Sequence, residues 1–110
     1  MSNIKEITLT FDERDYVLTF TRGSIKKAER GGFSISKVDE MPATMLPELF
    51  ASAFIAKHPQ IRRERVDEIF KATKDKNGLF EVLSKLYANT INSLLDDPEE
   101  NEKNATWVAN

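Results

Sequence analysis

The chain has 110 residues, enough for one hydrophobic core and too few for two. Its 40% hydrophobic and 31% charged residues suit a folded domain that stays dissolved, and the absence of cysteine excludes a disulfide framework, a thiolate metal site and a cysteine nucleophile. The net charge of −2 conceals an asymmetry: residues 96–110 hold five acids (Asp96, Asp97, Glu99, Glu100, Glu102) and one base (Lys103), which leaves 15 basic and 13 acidic residues in the body. So nearly neutral a body lacks the electrostatic footprint of a dedicated nucleic-acid binder. The opening MSNIKEITLTF lacks the basic start and apolar run of a signal peptide, and no apolar run is long enough to span a bilayer. A cytoplasmic protein without membrane contact is expected.

In residues 4–11, Ile7, Leu9 and Phe11 alternate with Glu6, Thr8 and Thr10, and Tyr16, Leu18 and Phe20 repeat the period of two, so two half-buried strands are expected. The polar loop DERD, residues 12–15, has hairpin length, and the strands should pair antiparallel. Thr21 then reads as an N-cap, and Gly31-Gly32 as the C-cap of a short helix. Residues 33–41 form a connector with Phe33, Ile35 and Val38 as anchors. A second helix is expected from near Thr44 to Lys57, with Pro47 tolerated in its first turn and His58-Pro59 ending it. The third, about Arg62 to Ala72, brings Val66, Ile69 and Phe70 to one face. The fourth, about Gly78 to Leu95, has the widest apolar stripe in the chain, including Leu83, Leu86, Tyr87, Leu94 and Leu95. So broad a stripe predicts packing between other elements or against a second subunit, hence a homo-oligomer. The fold expected is α+β: one domain over residues 1–95, built of an N-terminal antiparallel β-hairpin packed on about four α-helices, followed by a flexible acidic tail over 96–110.

No constellation for chemistry emerges, and the chain reads as a non-enzyme without cofactor or metal. His58, the only histidine, sits at a helix end, where a cation would meet the negative end of the helix dipole. Asp12, Glu13 and Asp15 lack the spacing and central glycine of a calcium loop. Arg62, Arg63 and Arg65 at a helix start are electrostatically unfavourable there, which raises the question of a partner. The interspersed Glu64, Asp67 and Glu68 favour a solvated face over a phosphate grip. Trp107, the only tryptophan, stands in the acidic tail, and a flat side chain with a polar N–H suits a docking peptide as well as a fold-back onto the core.

The strings KEITLTFDERDYVLTFTRGSIKKAERGGF, MPATMLPELFASAFIAKHP and NATW, in this order, resemble the small tail assembly chaperones of siphophages and prophages of Gram-positive bacteria. The likeness covers nearly the whole chain and carries no catalytic motif. It implies a non-catalytic protein of the bacterial host cytoplasm that binds and solubilises the tape measure protein during tail morphogenesis, with the major tail protein as a second candidate partner. On this reading, apolar stripes of the partner would seek a groove lined by residues such as Phe50, Phe54, Leu83 and Tyr87, although most of these are expected in the core. The alternative is a small adaptor or regulatory protein that binds a protein or nucleic-acid partner through the basic helix carrying Arg62, Arg63 and Arg65. A small hydrolase has the least support.

Overall fold

The computed structural model describes residues 4–96 and 103–109. Strands β1 (Ile7–Phe11) and β2 (Arg14–Leu18) pair antiparallel, with Ile7 opposite Leu18 and Leu9 opposite Tyr16. The alternation thus does what the sequence pattern demands: these four apolar residues share one face, while Thr8, Thr10, Asp15 and Val17 lie on the other. The hairpin turn is tighter than the four-residue loop expected. Asp12 and Glu13 both adopt positive φ, 53° and 61°, and close a two-residue turn of the mirror-image type that matches strand twist. Arg14 and Asp15 therefore belong to β2, and the Thr10 hydroxyl donates to the Asp15 carboxylate at 2.7 Å across the ladder.

Helix α1 (Arg22–Arg30) begins and ends as its sequence dictates. The Thr21 hydroxyl accepts from the Ser24 N–H at 3.0 Å, and the Ser24 hydroxyl accepts from the Thr21 N–H at 2.9 Å, a reciprocal cap. At the other end Gly32, with φ of +105°, lets its own N–H reach Glu29 and the Phe33 N–H reach the Ala28 carbonyl, which closes the helix with a left-handed glycine cap. Phe33 is then delivered into the core. Ile35 opens a 3-10 turn (Ile35–Lys37) and is exposed, so of the three expected anchors Phe33 is buried and Val38 half-buried.

Helix α2 (Pro42–Ser52) starts two residues earlier than expected, on a proline suited to the first helical position. Pro47 consequently lies in the second turn, half-buried, where it removes one intrahelical hydrogen bond. The helix also stops earlier, at Ser52, instead of running to Lys57. The Ser52 hydroxyl donates back to the Leu49 carbonyl at 2.7 Å, and the next turns tighten to three-residue hydrogen bonds. The Ala53 carbonyl is thereby free to accept from the Thr19 N–H at 3.0 Å. Helices α3 (Arg63–Ala72) and α4 (Lys76–Asn92) follow, and a 3-10 turn, Ser93–Leu95, extends α4. Asp75, in the left-handed region, caps α4 by accepting from the Gly78 N–H at 3.2 Å, so the helix starts two residues before the glycine.

One hydrophobic cluster joins the hairpin face, α1, α2, α3 and α4. Its largest fully buried side chains include Tyr87, Phe50, Phe54, Leu49 and Leu83. Phe50 is central, with its ring 5.2 Å from those of both Phe54 and Phe70. The fold is α+β, an N-terminal hairpin packed on four helices. Among the described residues no helix is long and apolar enough to cross a membrane.

Candidate interaction surfaces

The three arginines at the start of α3 part company in the structure. Arg65 reaches back to the hairpin tip: its guanidinium stacks on Phe11 at 4.8 Å, pairs with Asp12 at 3.2 Å and Glu68 at 2.8 Å, and approaches the Tyr16 hydroxyl at 3.4 Å. The Tyr16 hydroxyl, then Glu68 and Asp12, raise its pKa above the ordinary arginine value. Arg65 is a clamp between α3 and the tight turn. Arg63 bridges Glu48 of α2 at 2.8 Å and Asp67 at 3.0 Å, and its pKa is raised chiefly by the Glu48 hydrogen bond. Only Arg62, the residue before α3, makes no ion pair among the described residues. It lines a shallow hollow with Arg14, Lys57 and His58. Three arginines adjacent in sequence thus do not make one three-pronged site, because two of them close seams between elements.

The four residues proposed for a partner groove, Phe50, Phe54, Leu83 and Tyr87, are core residues at 2% exposure or less. Their faces already meet other parts of the chain: Phe20 and Phe33 pack edge-on against the Tyr87 ring at 5.3 and 5.6 Å. No partner reaches them without opening the fold. Tyr87 keeps one polar link, its hydroxyl donating to Glu29 of α1 at 3.0 Å, and burial together with this acceptor raises its pKa well above the usual phenol value.

His58 lies beyond the end of α2 and faces the hairpin. Its Nε2 accepts the outward N–H of Val17 at 2.9 Å, which needs a free lone pair on that nitrogen, and its ring lies edge-on to Tyr16 at 5.4 Å. Together with the Thr19 to Ala53 bond, it ties the outer edge of β2 to the segment after α2. A two-stranded sheet exposes two edges, and this contact covers one of them. Among the described residues no group of three or more His, Asp or Glu side chains is placed to hold a metal ion.

The expected stripe on α4 divides in two. Leu83, Leu86 and Tyr87 are buried and Ile91 is half-buried against the core, but Leu94 is 49% and Leu95 84% exposed. Beside them lies an apolar groove between α1 and the end of α4. Ile25, Ile91 and Leu94 line it, with Arg22, Lys26 and Glu29 along the α1 side. Arg22 braces it by donating to the Ser93 carbonyl at 3.3 Å. The sequence reading missed this groove; the signal present was a pair of leucines directly before the Asp96-Asp97-Pro98 stop. Residues 103–109 have no regular structure, and Trp107 and Val108 are 84% and 80% exposed, so the tryptophan does not fold back onto the core. The other acidic positions of the expected tail, 97–102, lie outside the described residues.

These features define a small α+β domain with a closed core, paired surface charges and a set of apolar side chains outside the core beyond α4. The chain belongs to the family described as a domain of unknown function (DUF5055), whose match spans residues 1–110. No curated protein and no solved structure matches it.

Proposed function

We propose that the protein is a non-catalytic tail assembly chaperone of a siphophage or prophage, acting in the bacterial cytoplasm, where it binds the tape measure protein and keeps it soluble. The resemblance of its sequence strings motivates the reading. The observation that carries it is the exposure of Leu95, Trp107 and Val108, each at 80% or more, beside a core that is otherwise closed. Large apolar side chains left in water gain by covering the apolar stripe of a helical partner, at about 25 cal/mol per Å² removed from water. The contact surface moves accordingly, from the buried Phe50, Phe54, Leu83 and Tyr87 to the exposed side chains after α4. Co-expression with a siphophage tape measure protein provides the test. Soluble, co-purifying tape measure protein is expected, with less recovered for Trp107→Ala; insoluble tape measure protein, or a soluble one that never co-purifies, overturns the proposal.

A basic-helix adaptor is the second reading, favoured only by Arg62, Arg14 and Lys57 around one hollow. The ion pairs of Arg63 and Arg65 weaken it. No nucleic-acid binding is expected at physiological salt, and a mobility shift there that weakens steeply with added salt would revive this reading.

A further inference from the structure

We infer that the groove between α1 and the end of α4 receives Trp107 of a second copy of this chain, so that two molecules exchange arms. The groove offers an apolar floor of Ile25, Ile91 and Leu94 and holds about 330 Å³, at the small end of pockets that take organic groups, which fits one large side chain. Its α1 wall carries two bases, Arg22 and Lys26, against the single acid Glu29. The occupant has matching chemistry, because Trp107 and Val108 follow a stretch that carries five acids and one base from residue 96 onward. An indole entering the groove would thus bring acidic chain along the basic helix, a complementarity that fixes both partner and orientation.

Geometry favours exchange over fold-back. Trp107 is 84% exposed in the single chain, so its own groove does not hold it. The chain leaves the 3-10 turn through an extended Asp96, directly beside Leu94 at the rim of that groove. Eleven residues lie between Leu95 and Trp107, and the extended chain joining the two spans at most about 40 Å. Arm origin and groove share one end of the body, so two copies brought end to end can each give an arm and receive one, a closed two-fold arrangement. Each arm covers a small area compared with a standard interface, so the association is weak and concentration-dependent. It requires no tape measure protein and stands or falls separately from the function proposed above.

Trp107 is the only tryptophan, which allows a complementation test with full-length chains. The Trp107→Ala chain keeps its groove and loses its arm; the Leu94→Glu chain keeps its arm and places a carboxylate in its groove. Leu94 is half-exposed, and Lys26→Glu, on an exposed residue, provides an independent groove variant. Wild-type emission should shift to the blue as concentration rises, in step with dimer mass by sedimentation, while Leu94→Glu and Lys26→Glu each stay red-shifted, self-associating at least about tenfold more weakly. Adding the silent Trp107→Ala chain to Leu94→Glu should restore the blue shift and a dimer mass, and a chain carrying both substitutions should restore neither. Three outcomes overturn the inference: a wild-type chain that stays monomeric, a blue shift independent of concentration, and a mixture in which the doubly substituted chain works as well as Trp107→Ala.

Discussion

The two ends of the body handle exposed valences in opposite ways. At the hairpin end the loose groups are tied off: Arg65 grips the turn through Phe11 and Asp12, His58 takes the outward N–H of Val17, and Ala53 takes that of Thr19. At the α4 end apolar surface stays open, with Leu94 and Leu95 in water and Trp107 beyond them. The same chain that satisfies an edge N–H with its only histidine leaves its only tryptophan uncovered. The lesson is that the hairpin end is tied by its own contacts, and that the most exposed large apolar side chains, Leu95, Trp107 and Val108, lie at or beyond the other end.

The largest effect should come from the packing that joins the ends. Phe50 is fully buried among Phe54, Phe70 and Phe80, so Phe50→Ala should cost about 3–5 kcal/mol, a large part of the stability of a small domain. Urea unfolding measures it, and a loss below about 1 kcal/mol would mean that no single core spans both ends. His58→Ala sharpens the claim about the tied end. With the Val17 N–H left without its acceptor, a loss of about 1–2 kcal/mol is expected, together with faster amide exchange at Val17. Unchanged exchange there would show that the edge is not sealed by the imidazole.

At the other seam, Tyr87→Phe removes the bond to Glu29 and should cost about 1 kcal/mol at neutral pH. The sign of its pH dependence follows from the raised pKa. The folded state keeps the phenol neutral while the unfolded chain ionises it near pH 10, so this contribution is complete below about pH 10 and is lost as pH rises above it. Wild type should therefore lose stability faster than Tyr87→Phe between pH 10 and 11, and parallel curves would refute the buried-phenol account. The smallest effect concerns the turn. Glu13 holds a positive φ of 61° without being glycine, so Glu13→Gly should relieve strain and raise stability by about 0.5–1 kcal/mol, read as a higher urea midpoint. A lower midpoint would show that Glu13 makes a contact worth more than its strain.

Local signals were legible in the sequence. Period two placed Ile7, Leu9, Tyr16 and Leu18 on one face, and Thr21 with Gly31-Gly32 bounded α1, because caps and alternation depend on near neighbours. The start of α4 was missed for a local reason, an Asp75 in the left-handed conformation that caps it, whereas the end of α2 was decided by a distant partner. α2 ends early at Ser52, and the Ala53 carbonyl just beyond it accepts from Thr19 of the strand side. The role of Arg65 was hidden for the same reason: Asp12 and Phe11 lie more than fifty residues away, and their approach depends on the whole fold. Phe50, Phe54, Leu83 and Tyr87 look the same in sequence whether they line a core or a groove. Trp107 was the opposite case, since an acidic stretch without periodicity had already set it apart.

Acrylamide quenching of Trp107 in dilute protein tests the central division between a closed body and an uncovered arm most directly. The account predicts emission typical of indole in water and quenching nearly as efficient as that of free tryptophan, both unchanged in Leu94→Glu. Blue-shifted emission with protection from quencher in the dilute monomer would mean that the tryptophan belongs to its own core, and the account would be contradicted.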